Sequence, residues 1–495
     1  MGYIEGRERT QQTLLSMEDM IEKESMVRVI DRFVETRDLA GLGFTRTKAG
    51  KTGRPGYAAG AMAKLYIYGY ENGIRSSRKL EKETQRNLEV MWLMEGLKPD
   101  HSSISEFRRL NVKAIKKLFR DFVKLCRDWE LIEGRVVAQD GTKIRASNGS
   151  RNNFKNEQLE KRIKRIDKKI AEYLTSMDQA DQTDGSPNDT SEKVSPAELL
   201  KLLESREKYE GYKKQAEATE AKEISIVDPD ARLMGSRKKG FDVGYNAQIA
   251  VDSKHHIVLD CDVTNNPTDR GEMSKMAKSL RKRRLIRNKK QSAYLADKGY
   301  YSGKDLKKMK QLGIVAIVPR QDLSHPKSMP EAFHYNNFRF DPGYNTYTCP
   351  MGYTLPLHSR PKSVHRRYYN KAACEQCPHK SSCVSGKARY RTITRSEHAG
   401  IYESADKIYA LNSELYNLRK QLVEHPFGTI KRNMNGSYFL LRTLPKVRGE
   451  MALFCLAYNI KRTYNILGFK EIMARLSLRL RFLVSFSHVF CIFSQ

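Results

Sequence analysis

The sequence predicts an α/β core that carries two insertions and follows a helical region. Up to residue 130 the apolar residues recur at helical spacing, whereas from 131 onward short β-branched runs alternate with helical stretches. In chain order, "MEDMIEKESMVRVIDRFVETRD" and "SEFRRLNVKAIKKLFRDFVKLCRDW" read as amphipathic helices, parted by a Gly, Pro and Thr break at "TRTKAGKTGRPGY". "GRVVAQDGTKIRA" is a β-branched run closing on Asp-Gly, so a strand ending at Asp140 is expected. Residues 154–224 are dense in Lys, Glu and Gln with heptad-like apolar spacing, broken by "DQTDGSPNDTSEKVSP"; this predicts a helical hairpin inserted after that strand. "GYNAQIAVDSKHHIVLDCDVT" reads as two strands around a polar turn. "SAYLADKGY" and "GIVAIVP" are strands separated by the helical "KDLKKMKQL", which implies a parallel pair joined by a right-handed crossover. Residues 321–400 lose the alternation and gain four clustered cysteines, marking a second insertion, and helical periodicity resumes from 401 to the end.

The expected organisation is therefore a helical region at 1–130, a first part of the core at 131–320 with its hairpin at 154–224, a Cys-rich insertion at 321–400, a second part of the core at 401–468, and a helical tail at 469–495. With 90 Lys and Arg against 58 Asp and Glu, and a formal charge of +32, the chain favours a polyanionic partner, nucleic acid first. No apolar run reaches the roughly 18 residues of a spanning helix, so no membrane partner is expected. "MGYIEGRERTQQTLLSMED" has charges where a signal peptide carries its apolar stretch, which predicts a cytoplasmic protein. Cys126, Cys261, Cys455 and Cys491 stand singly, as reduced and mostly buried thiols do.

Three acidic residues stand where a sheet-centred fold could gather them: Asp140, Asp297 at the end of a later strand, and Glu424 on the helix after the Cys-rich insertion. Gathered carboxylates repel one another, and a hard cation such as magnesium offsets this through their oxygens. Two such ions about 4 Å apart can activate a water or a 3'-hydroxyl and stabilise the leaving oxygen of a phosphodiester. Each acid alone reads equally well as a turn residue, a helix cap or a solvated charge, and Asp252, Asp260 and Asp262 compete with Asp140. Glu424 lies in "VEHPFGTIKR", where His-Pro should kink the helix. Basic density peaks between Lys275 and Lys290, with nine Lys or Arg and no acid, including Arg281, Lys282, Arg283 and Arg284. This run, together with Lys298 and with Arg75, Arg78 and Lys79 in "IRSSRKLE", supplies candidate phosphate contacts. Cys349 in "CPMG" and Cys374, Cys377 and Cys383 in "CEQCPHKSSC" suggest a tetrahedral thiolate site for zinc, with His379 as a substitute ligand and reduced structural thiols as the alternative.

These residues together resemble insertion-sequence transposases with an RNase H-like DDE catalytic domain. "YGYENGIRSSRKLE" and "PDHSSISEFR" resemble the helical segment ahead of the catalytic core in one large group of them. "AQDGTKIRA" resembles their first-Asp motif, "YNAQIAVD" and "DVTNNPTD" the strands after it, "LADKGYYSG" the second-Asp motif, and "VEHPFGTIKR" the segment bearing the catalytic Glu. The resemblance puts the catalytic, metal-holding roles on Asp140, Asp297 and Glu424. A wider signature of such enzymes, Tyr, two residues, Arg, three residues, Glu, six residues, Lys, is nearly matched by Tyr416, Arg419, Glu424 and Lys431. The Arg-to-Glu gap is four here, and Lys420 would restore it but stands one residue too far from Tyr416. Glu424 and Lys431 are seven apart, two helical turns, and so share a face.

The resemblance implies an RNase H-like mixed-sheet core and a DNA-binding role for the N-terminal helices. It implies hydrolysis with two magnesium ions, or manganese in their place, that frees 3'-hydroxyl ends, then attack of those ends on target DNA. The expected partners are terminal inverted repeats, target DNA and a second copy of the chain, in a bacterial cytoplasm at the nucleoid. The alternatives are an RNase H-like nuclease without strand transfer and a non-catalytic DNA-binding protein.

Overall fold

The computed structural model describes residues 16–48, 56–149, 152–182, 196–218, 223–236, 240–287, 292–320, 329–358, 365–386 and 388–492. Six helices come first: α1 (Met26–Glu35), α2 (Ala59–Glu71), α3 (Ser77–Arg86), α4 (Leu88–Leu93), α5 (His101–Leu110) and α6 (Val112–Asp128). Strand β1 (Val136–Arg145) and the short β2 (Asn153–Lys155) lead into a helical pair, α7 (Asn156–Gln182) and α8 (Pro196–Ala218). Strands β3 (Glu223–Ser225), β4 (Arg232–Ser236), β5 (Gly240–Asp252) and β6 (Val258–Thr264) follow. Next come α9 (Glu272–Lys282), β7 (Ala293–Leu295), α10 (Gly303–Gln311) and β8 (Val315–Ile317). The Cys-rich segment holds β9 (Arg339–Asp341), β10 (Thr346–Thr348), β11 (Thr354–Leu355), β12 (His365–Tyr368), α11 (Lys371–Glu375), α12 (Lys380–Cys383) and β13 (Ile393–Ser396). The chain closes with α13 (Ala399–Leu411), α14 (Ser413–Arg432) and α15 (Leu444–Ile492).

Contacts divide the chain into two compact units, one of Met1–Glu133, Asp140–Thr268 and Gln421–Gln495, the other of Gly134–Gln139 and Asp269–Lys420. Strand β1 and helix α14 each contribute residues to both. In the first unit α15 packs along α6, α2 and α1, which is why the N-terminal helices join this unit instead of standing apart. The seam is apolar: Phe33 meets Phe122 edge to face at 5.1 Å and Tyr70 meets Phe454 at 4.9 Å. Helix α15 kinks at Gly468 (φ 73°), yet Ile472 and Leu476 beyond the kink remain buried. The tail therefore starts as a packing helix. Strand β5 pairs antiparallel with β4 through its first half and with β6 through its second, as the polar turn after "GYNAQIAVD" predicts. The expected hairpin is present in α7 and α8, bridged by Lys213 to Glu160 at 3.1 Å and Arg206 to Asp167 at 2.5 Å; its tip lies outside the described residues.

In the second unit β1 pairs parallel with β7, and β7 parallel with β8, with α10 as the crossover that "KDLKKMKQL" predicts. The architecture is thus mixed α/β, with antiparallel and parallel strand pairs. The Cys-rich segment forms a three-stranded and a two-stranded sheet around a core of Phe338, Tyr347, Leu355, Tyr368 and Ile393.

Candidate catalytic site

Strand β1 runs through Asp140 to Arg145, so Asp-Gly does not end it, contrary to the sequence expectation. The Asp140 carboxylate accepts from its neighbour Gly141 N at 2.8 Å, and Ile144 beyond is buried, which keeps the backbone in the sheet. Within the first unit the Lys431 ammonium donates to Thr142 Oγ1, two residues past Asp140, and Phe439 N donates to Arg145 O at 2.8 Å. These bonds fix the end of α14 against the strand. Burial pushes Lys431 below the usual lysine range, and the negative charge of Asp140 opposes that shift.

Glu424 lies on α14, exposed, seven residues before Lys431 and so about 10 Å along the axis. Helix α14 is continuous through Pro426. Leu422, Val423, Pro426, Phe427 and Ile430 are all buried, and that packing outweighs the lost N–H bond. His425 Nδ1 lies 2.9 Å from the Tyr458 hydroxyl, a contact that adds to the anchoring of the same turn.

Within the second unit Asp297 follows β7 directly and caps the short 3-10 turn Lys298–Tyr300, accepting from Gly299 N at 2.6 Å. A Cβ on Gly299 would stand 2.8 Å from Asp297 Oδ1 and 3.2 Å from Asp269 Oδ2, so a side chain there would displace one of these carboxylates. Asp269 is thus a second acid facing the turn of Asp297. The sequence does not single it out within "DVTNNPTD"; only its approach to Gly299 in the fold marks it. Tyr416, on the first half of α14, is also close: burial pushes its hydroxyl up, Arg419 pulls it down, and the charge of Asp297 pushes it up again. The Arg419 guanidinium stands 5.8 Å from the Tyr416 ring centre. Within the second unit Asp297 is thus near Tyr416, and within the first unit Asp140 is near Lys431.

The competing acids have other work. Asp252 is buried and accepts from Glu133 N and Lys254 N. Asp260 is buried 3.7 Å from Arg120, and Asp262 pairs with Arg448 at 2.9 Å and Lys116 at 3.4 Å. These pairs join β6 to α6 and α15.

Among the basic candidates Arg75 must be withdrawn as a DNA contact. It is 2% exposed, and its guanidinium donates to Glu450 at 3.1 Å and to Tyr438 O at 2.8 Å, stacked over the Tyr438 ring. Arg78, Lys79, Lys282, Arg284 and Lys298 are exposed; Arg281 and Arg283 are half-buried, and Arg281 Nη1 points inward. Lys289 and Lys290 lie outside the described residues. Tyr300 is buried, and Tyr301 stacks on Tyr402 and donates to Asp406 at 2.6 Å, so both tyrosines pack.

Cys349, Cys374, Cys377 and Cys383 line one small cavity of the second unit, whereas His379 packs against Phe333 instead. Among the described residues no three His, Cys, Asp or Glu side chains stand at the spacing of a formed metal site. The donor chemistry of Asp140, Asp297 and Glu424 is nonetheless all carboxylate oxygen, which suits a hard divalent cation. Cys126, Cys261 and Cys455 are buried free thiols, as expected; the Cys491 side chain lies outside the described residues.

Two family models match the chain: "Transposase domain (DUF772)" over residues 15–110 and "Transposase DDE domain" over residues 218–460. The protein is thus an enzyme of the DDE class, which acts on DNA and generally uses divalent metal ions. It belongs to the insertion-sequence DDE transposases. The second match takes in Asp297 and Glu424, and Asp140 falls between the two matched segments. No curated protein matches the chain. A solved piggyBac transposase synaptic complex with hairpin DNA is 13% identical, covers 93% of this chain and 82% of its own, and superposes at a TM-score of 0.31, too low to bear on the argument. No helix among the described residues is long and apolar enough to cross a membrane.

Proposed function

We propose that this transposase cleaves the ends of its element with Asp140, Asp297 and Glu424 holding two magnesium ions in an RNase H-like core, and then joins the freed 3'-hydroxyls to target DNA. The observation that carries the reading is the match of the transposase DDE domain over residues 218–460, which takes in Asp297 and Glu424. The antiparallel β4–β5–β6 set and the parallel β1–β7–β8 set suit such a core. Bound by the three carboxylates, magnesium would supply an activated water or 3'-hydroxyl and neutralise the leaving oxygen.

The chain's own residues prepare the substrate. Lys431, tethered to Thr142, presents an ammonium near Asp140 for a phosphate oxygen, and Arg419, set against Tyr416, adds a planar guanidinium. Lys298, exposed beside Asp297, adds a third cation, and Lys282, Arg284, Arg78 and Lys79 extend backbone contact away from the chemistry. A second copy would pair the two ends through α7 and α8, whose Leu174, Leu200 and Leu203 are 49%, 62% and 44% exposed. Deleting that hairpin without loss of end pairing would refute the assembly role.

The test is a cleavage and strand-transfer assay on DNA carrying the terminal repeats. The Asp297→Ala variant should bind DNA normally and lose both reactions. Cleavage without joining by the unaltered protein would favour the nuclease reading; equal cleavage by Asp297→Ala would end the catalytic assignment.

A further inference from the structure

The four clustered cysteines are drawn from three places, and the fold brings them to one. Cys349 follows β10 directly, at the head of the turn to β11: its N–H donates to Tyr353 O at 2.9 Å, and Gly352 N donates back to Cys349 O at 2.9 Å, with Gly352 at φ 82°. That left-handed residue tightens the turn. Cys374 lies in α11, Cys377 in the turn after it, and Cys383 is the last residue of α12. All four line the same cavity, which has a volume of about 30 Å³, and Cys349 and Cys383 also pack against the five-residue core of the segment.

We propose that these four thiols bind one zinc ion that staples the Cys-rich insertion. Two short sheets around five buried residues form too small a core to hold a module of this length firmly, and a tetrahedral tetrathiolate is a common remedy. All-sulfur donation selects zinc or iron over magnesium, so this ion is chemically distinct from the one the carboxylates suit. Binding releases the thiol protons, and the resulting anionic cluster is offset by Lys380 and Arg391, which line the same cavity. Arg391 is held in place by Cys383 O and Phe333 O, each at 3.4 Å. His379, turned against the Phe333 ring at 5.7 Å, is not a ligand.

The site does not depend on the catalytic reading, and its test does not measure transposition. Full-length protein purified with zinc in the growth medium should contain about one zinc per chain by mass spectrometry of the metal. Mercurial modification of the thiols should release it. The Cys374→Ser, Cys377→Ser double variant should hold at least tenfold less zinc, and His379→Ala should hold as much as the unaltered protein. If the double variant fails to fold, cobalt exchange into the unaltered protein decides the matter, through thiolate charge-transfer bands and a tetrahedral ligand-field spectrum. Protein that is metal-free with four titratable thiols, that carries iron instead, or that takes cobalt without these bands overturns the proposal.

Discussion

Glu424→Gln separates catalysis from folding more cleanly than any other substitution in this chain. The side chain is exposed on α14, while the buried stripe of the helix comprises Leu422, Val423, Pro426, Phe427 and Ile430. An amide of the same shape should therefore change stability by no more than about 0.5 kcal/mol. Its effect on chemistry should be large. Removing one of three anionic ligands costs several kcal/mol of charge stabilisation, and about 4 kcal/mol corresponds to about a thousandfold in rate. The assay compares initial cleavage of terminal-repeat DNA in magnesium with binding by mobility shift and with a urea unfolding midpoint. The expected result is unchanged binding and unfolding with cleavage down about a thousandfold. Cleavage within tenfold of the unaltered protein would show that Glu424 holds no metal in the reaction.

Other outcomes follow from named contacts. Arg75→Met strips the cation from a fully buried Glu450, which still accepts from Leu440 N and Leu441 N, so unfolding should become easier by about 3–5 kcal/mol, whereas Arg78→Met on the exposed face should be nearly silent. An unchanged urea midpoint for Arg75→Met would contradict this. Because burial lowers the Lys431 pKa, its ammonium is lost at a lower pH than an ordinary lysine; DNA affinity should fall as pH rises through that value, and Lys431→Met should weaken binding and abolish that alkaline fall. A fall that persists in the variant would assign it to another group. Asp269→Asn keeps the shape beside Gly299 but removes a charge facing Asp297; if Asp269 tunes the magnesium affinity of Asp297, the magnesium concentration for half-maximal cleavage should shift several-fold, and an unchanged magnesium titration would limit Asp269 to a loop role.

Much of this molecule was legible in local windows of sequence. The helical hairpin, the antiparallel β5–β6 pair, the β7–α10–β8 unit and the placement of Asp297 directly after a strand all follow from period, turn chemistry and chain order. Where the reading failed, it had taken a local rule to its local conclusion. Asp-Gly reads as a turn that ends the strand, yet the sheet holds β1 extended through Asp140 to Arg145.

The sequence by itself determined which residue types exist for the chemistry: three ordered acids, a row of cations on one helix, and four clustered thiols of which Cys374 and Cys377 have chelating spacing. Tertiary structure alone decided which of them are at liberty to act. Arg75 and Arg78 stand three residues apart in one basic motif, but Glu450, 375 positions away, takes Arg75 into the core. Lys431 meets Thr142 across 289 positions, and Asp260 and Asp262 are occupied by α6 and α15, leaving Asp140 beside α14. The physical reason is that a charge has no fixed role in a chain. Its pairing, burial and protonation are set by partners that only folding brings within a few ångströms, and no window of neighbouring residues contains them.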